Sequence, residues 1–225
     1  MSHPLDNPVW ASLSSHHAGL ARKDGHAARY PADAAPFVAV DRTDADAAAQ
    51  LAGLVEVGES VLLVGMTLPL PSTWRVQPLV RIAQMTCDSA VAVDDGPTMR
   101  PLSHDDVADM LALTALVYPH YFRPRTIEMG RYLGIHEDGR LVAMAGERMR
   151  FDGHQEISAI CTHPAHTGRG HARRLLAALG NDILDRGELP FLHVSHRNAR
   201  AKSLYERMGY VFRTDIALLE ISRRG

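Results

Sequence analysis

Residues 160–176, ICTHPAHTGRGHARRLL, force a strand, a tight turn and a helix in that order. Ile160 and Cys161 close an apolar run that starts at Glu156 (EISAIC) and reads as a buried strand. Pro164 breaks it. Gly168 and Gly170 stand one residue apart, and beyond them Ala172, Leu175, Leu176, Leu179 and Ile183 fall at helical spacing. Gly187 ends that helix, and LPFLHVS supplies a second strand. A strand–helix–strand unit places the chain among α/β folds. The first turn of such a helix leaves backbone N–H groups without partners and has a partial positive charge. The turn is therefore an anion site, to which Arg169 and His171 add charge from the side, and a pyrophosphate is its natural guest. There is no GxxxxGK[ST], which excludes a P-loop nucleotidase, and Arg173 stands where GxGxxG needs its third glycine.

The rest of the chain repeats this grammar more loosely. Residues 1–35 are polar, rich in His, Ala and Pro, and read as an irregular lead-in. PFVAV reads as a strand, Thr43 with Asp46 as a capping box, and Leu51, Leu54 and Val55 as the face of a helix that Gly58 stops. SVLLVG is a strand, and WRVQPLVRIAQMTC is one or two more. The Asp-Asp-Gly-Pro turn sets a boundary near Asp95. It divides the chain into an N-terminal segment, 1–95, and a second part, 96–225. In the second part Ser103 and Asp106 cap a helix, and two strands meet around Glu137-Asp138-Gly139, a hairpin signal. Residues 199–208 form a short helix with Ala201, Leu204, Tyr205 and Met208 on one face.

Composition narrows the function. The chain has 24 basic and 26 acidic residues among 225, which leaves no charge footprint for nucleic acid or a membrane surface. It has no apolar stretch of about 18 residues and no basic start before an apolar run, and its two cysteines form no CxxC. A cytoplasmic protein with reduced thiols is the expectation.

Two motifs now stand in order: HPAHTGRGHA between strand and helix, and NARAKSLYERMGY after the next strand. Together they resemble the GNAT superfamily of acyl-CoA-dependent N-acyltransferases. There an HPxxRGxGxG/A-like turn wraps the coenzyme A pyrophosphate, and N-x-x-A-x-x-L-Y-E-x-x-G-F/Y completes the site. Asn198, Ala201, Leu204, Tyr205, Glu206, Gly209 and Tyr210 match the second motif. Thr167 departs from the first, where Arg or Gln is usual. The resemblance covers roughly residues 98–220. Its hairpin and EISAICTHP strands look like the glycine N-acyltransferase-like branch, in which a degenerate GNAT-like segment can precede the catalytic one. That would suit residues 36–95. The implied fold is a twisted mixed sheet, mostly antiparallel, flanked by helices, with a smaller α/β segment before it.

The resemblance implies acetyl-CoA, or another acyl-CoA, as co-substrate and no metal. It places the pantetheine arm beside Ile160, Cys161 and Thr162. The phosphates fall at Thr167, Gly168, Arg169, Gly170, His171 and Ala172, with Asn198 nearby. Tyr205 would protonate the leaving thiolate; its spacing alone favours a core aromatic, and the family pattern reverses that. Strand alternation puts Glu156, Ser158, Ile160 and Thr162 on one face, which makes Glu156 the candidate base and Glu147 the runner-up. Tyr118, Tyr121, Phe122 and Arg125 would shape the acceptor site, where Arg125 is a carboxylate grip or a surface charge. The acceptor is a small-molecule or peptide amine, and the chain a monomer or homodimer. His163, His166, His171, His193 and His196 raise a metal reading, but no Cys or carboxylate in the sequence pattern completes a set. A non-catalytic acyl-CoA-binding module is the alternative.

Overall fold

The computed structural model describes residues 3–117, 119 and 121–225. Within them the strands are β1 (Arg22–Asp24), β2 (Ala27–Arg29), β3 (Phe37–Val40), β4 (Ser60–Val64), β5 (Trp74–Thr86), β6 (Met99–Pro101), β7 (Tyr132–Glu137), β8 (Arg140–Phe151), β9 (His154–Thr162), β10 (Leu189–Ser195) and β11 (Val211–Arg223). The α-helices are α1 (Pro8–Leu13), α2 (Ala45–Leu54), α3 (Val107–Val117), α4 (His171–Asp185) and α5 (Ala199–Arg207). All the strands join one sheet in the order β1-β2-β3-β4-β11-β5-β10-β9-β8-β7-β6. Only β3/β4 and β9/β10 run parallel. Each of these pairs is bridged by a helix, α2 or α4, because parallel neighbours need a crossover. This is the mixed, mostly antiparallel sheet that the resemblance implies.

The N-terminal half does not form a separate sheet. Its last strand, β5, pairs antiparallel with β10 on one side and with β11 on the other. The first 35 residues are not an irregular arm either. Leu5, Val9 and Leu13, four apart, are buried with Tyr30, and the Tyr30 hydroxyl donates to Ser12 Oγ at 2.9 Å. The cap of α2 falls one residue later than expected: the Asp44 carboxylate accepts from the Ala47 N–H at 3.0 Å.

Helix α4 follows its pattern. Leu175, Leu176, Leu179 and Ile183 are all buried, each contributing roughly 2 kcal/mol. They pack with Ile157, Leu192 and Val194. Met110 and Leu113 of α3 pack instead with Ala159 and Cys161. Strict alternation would give Ile157, Ala159 and Cys161 one face. A bulge separates them: Ala159 has φ +51°, and the register skips between Met144–Cys161 and Gly146–Ser158. The expected common face of Glu156, Ser158, Ile160 and Thr162 is therefore broken after Ser158. No described helix is long and apolar enough to cross a membrane.

Candidate active site

The parallel strands β9 and β10 pair at only three positions, Leu189–His154, Pro190–Gln155 and Phe191–Glu156. Beyond these they part, since residues 157–160 and 192–195 line opposite walls of a cavity of about 240 Å³. A second cavity, about 310 Å³, opens at the start of α4. Ile160, Asn198 and Tyr205 border both. A slot thus runs from the glycine turn, past a tyrosine, into the space between the strands.

The glycine turn has the geometry its sequence calls for. Gly168 and Gly170 have φ of +83° and +79°, and a Cβ on either would meet nothing within 4 Å. The backbone conformation, not crowding, is what requires glycine. The Gly170 carbonyl accepts from the Arg174 N–H, which leaves the preceding first-turn amides to face the cavity mouth. Thr167, Gly168, Gly170, His171 and Ala172 line this mouth, as do Arg173, Arg200 and Arg207, which sequence reasoning missed. The Thr167 hydroxyl turns back and donates to the Pro164 carbonyl at 3.1 Å. Arg169 is exposed and turns to Glu137, 2.7 Å away.

Glu137 gathers a cluster of its own. His166 Nδ1 lies 3.1 Å and buried His171 Nε2 3.0 Å from its oxygens. The ligand atoms of the three side chains lie within 4.8 Å of one another. A carboxylate does complete the histidine set, contrary to the sequence expectation, and Arg169 shares it.

Around the first cavity, the residues expected to shape an acceptor site sort unevenly. Tyr121 lines it. Phe122 does not; it packs edge-on against Tyr132 in the core. Arg125 does not either; it is held at the surface by Glu128 and Asp33. Tyr118 lies outside the described residues. Asn198 caps α5 by accepting from the Ala201 N–H at 3.1 Å. Cys161 points into the core, and burial pushes its thiol up to about 12.

Both candidate bases are already engaged. Glu147 is buried against Arg186, 2.7 Å away, and lines neither cavity. Glu156 is fully buried. Arg148 Nε and Nη2 donate to its two oxygens at 2.7 and 2.6 Å, and His193 Nδ1 lies 2.7 Å from one of them. Burial alone would raise its pKa, but the Arg148 charge and the bonds from Arg148 and His193 hold it at about 2. Arg148 and His193, on β8 and β10, are what the cavity sees. The His193 tautomer follows from its neighbours. Gln84 Nε2 donates to the Leu5 carbonyl while its Oε1 accepts from Arg213, so the amide orientation is set. Gln84 Nε2 therefore presents an N–H to His193 Nε2 at 3.1 Å, and the ring proton sits on Nδ1, toward Glu156.

The FR47-like protein family model matches residues 132–217. Across the full chain, the structure is similar to a protein from Novosphingobium aromaticivorans named as an acetyltransferase of the GNAT family. The two share 34% identity with a TM-score of 0.90, and 100% of each chain is covered. This chain belongs to the GNAT family. Two further GNAT-type folds are more distant. One is a GCN5-related N-acetyltransferase from Kribbella flavida (18% identity, TM-score 0.61, covering 92% of this chain and 93% of that one). The other is a GCN5-related N-acetyltransferase-like protein from Streptococcus suis (17%, 0.57, 96% and 92%). No curated protein matches the sequence. The GNAT fold supports acyl-CoA-dependent acetyl transfer in general.

Proposed function

We propose that this GNAT protein transfers acetyl from acetyl-CoA to a primary amine by direct attack in a ternary complex. The carrying observation is the position of Tyr205, at the joint between a cavity ringed by arginines and helix N–H groups and a cavity lined mainly by apolar side chains. The first suits a polyphosphate: Thr167, Gly168, Gly170, His171 and Ala172 would hold the pyrophosphate, and Arg173, Arg200 and Arg207 surround it. Arg169 would join by leaving Glu137. Ile160, Cys161 and Thr162 would flank the pantetheine arm with their backbone, alongside Asn198. Bound acetyl-CoA supplies the acetyl group as a thioester.

Tyr205 would give its phenolic proton to the departing sulfur. Glu156 acts in this reading as an anchor rather than a base. Its oxygens are taken, and a carboxylate held near 2 has little affinity for an ammonium proton. It fixes the His193 tautomer and the Arg148 guanidinium at the cavity wall. The acceptor then enters as a neutral amine, which burial among apolar side chains favours. Cys161 is a core thiol, which supports direct attack over an acyl-enzyme. Residues 96–225 provide this apparatus, and residues 1–95 add β5 and one wall of the acceptor cavity.

Calorimetric titration with acetyl-CoA, followed by amine-dependent thiol release, tests the reading. Micromolar binding with turnover is expected. Tyr205→Phe should lower kcat about 100-fold with Kd for acetyl-CoA unchanged. An absence of heat up to millimolar acetyl-CoA would defeat the proposal. So would binding without turnover of any amine, which is the behaviour of a non-catalytic module.

A further inference from the structure

The cavity beyond the parted strands has a composition that restricts what can be acetylated. Its outer wall is apolar and comes largely from the N-terminal half: Phe37 on β3, Val64 on β4, and Val80 and Ile82 on β5, with Leu218 of β11 beside them. Among the described lining residues there is no aspartate or glutamate. The fixed charge at the wall is the Arg148 guanidinium, stacked 4.8 Å from the Phe37 ring. Its partner Glu156 has a side-chain exposure of 1% and sits behind it, out of reach of a ligand.

An ammonium group entering this space would lose its hydration, find no carboxylate, and face a cation. A polyamine or a lysine-rich peptide would meet that penalty at several charges. A monoamine meets it once, and escapes it by binding as the free base. The apolar wall rewards a hydrophobic body.

On the reading of this site as an acetyl-CoA site, we propose that the acceptor is a primary monoamine with a compact aryl or branched-alkyl body, selected by the wall that the N-terminal half supplies. The N–C bond forms as the C–S bond breaks. One amine proton leaves by way of the Tyr205 hydroxyl to the sulfur, so a neutral amine and acetyl-CoA give an amide and free coenzyme A thiol with no other reactant.

The test measures initial rates of thiol release by the full chain at saturating acetyl-CoA. The probes are phenylethylamine, 3-methylbutylamine, spermidine and a lysine-containing tetrapeptide. We expect kcat/KM for the two monoamines to exceed that for spermidine and the peptide by at least about 100-fold. Val80 is half-buried on β5, so Val80→Asp is compatible with folding. It should lower kcat/KM for phenylethylamine about tenfold or more and raise it for 1,5-diaminopentane, with Kd for acetyl-CoA unchanged. Spermidine or the peptide matching the monoamines overturns the proposal, as does a Val80→Asp profile like that of the parent. So does octanoyl-CoA outperforming acetyl-CoA, because the apolar wall would then belong to the donor. Failure of any monoamine to react, with acetyl-CoA binding intact, overturns the acceptor assignment alone; failure of acetyl-CoA to bind removes the acyl-transfer reading as well.

Discussion

Replacing Glu156 by Gln removes one buried negative charge from behind the cavity wall and keeps the side chain's shape. The perturbation is severe because of where the charge sits. Arg148 and Glu156 are 10% and 1% exposed at the side chain, with N–O distances down to 2.6 Å. The carboxyl pKa falls from its ordinary 4.5 to about 2, against a burial effect that pushes it upward. That gap of about 2.5 pH units corresponds to about 3 kcal/mol of folding stability. The sign follows from the depressed pKa. The contribution is whole above pH 4.5, where the unfolded carboxyl is ionised, and disappears as pH falls toward 2, where the folded one protonates. Urea unfolding at pH 7 should therefore show Glu156→Gln about 3 kcal/mol less stable than the parent, and the difference should shrink steadily below pH 4.5. Arg148→Met added to Glu156→Gln should recover part of the loss, because the guanidinium that lost its bidentate carboxylate is gone too. A loss under about 1 kcal/mol at pH 7, or a difference that stays constant down to pH 3, would refute the picture of a buried ion pair anchoring the site.

Gly170→Ala should cost about 1 kcal/mol, since its φ of +79° is left-handed, and lower Tm by a few degrees. The same variant should weaken acetyl-CoA binding several-fold in calorimetry, because the first-turn amides shift with the residue that precedes them. Cys161→Ala should keep kcat within about twofold by thiol release, as expected of a group that forms no bond in the reaction. Residues 96–225 expressed alone should show no cooperative unfolding by circular dichroism, because β5 would be missing from between β10 and β11.

Elements whose cause is local were legible in the sequence. Helix α4 announced itself through the spacing of Leu175, Leu176, Leu179 and Ile183, and the β7–β8 hairpin through Asp138-Gly139, both of which adopt positive φ. The glycine turn was legible for the same reason. The lead-in was misread, although Leu5, Val9 and Leu13 at intervals of four held a helical signal within a polar composition. The expected common face of β9 rests on strict alternation, which the bulge breaks. The residue that breaks it is Ala159, and nothing in an alanine announces φ of +51°. Phe122 and Arg125 were drawn in by proximity in sequence to a helix end. Arg148, Glu156 and His193 are the opposite case. They lie on three strands, and only the sheet order brings them together.

The boundary expected near Asp95 does not divide the sheet. The Asp-Asp-Gly-Pro turn lies between β5 and β6, strands that occupy the middle and the edge of one sheet. Strand β5 is a single strand of 13 residues despite Pro78. The proline is tolerable because β10 pairs only from Ile82 onward, so at Pro78 the strand has a neighbour on one side, β11, and the register there shifts. The apolar residues just beyond the proline, Val80 and Ile82, reach the cavity. At Val80, where β11 is the strand's one paired neighbour, β5 lines the cavity that residues 157–160 of β9 also line. The insertion of β5 between β10 and β11 thus also gives the N-terminal half a surface in the cavity, and on the proposed reading a change in that half should alter which amine is taken without touching the glycine turn.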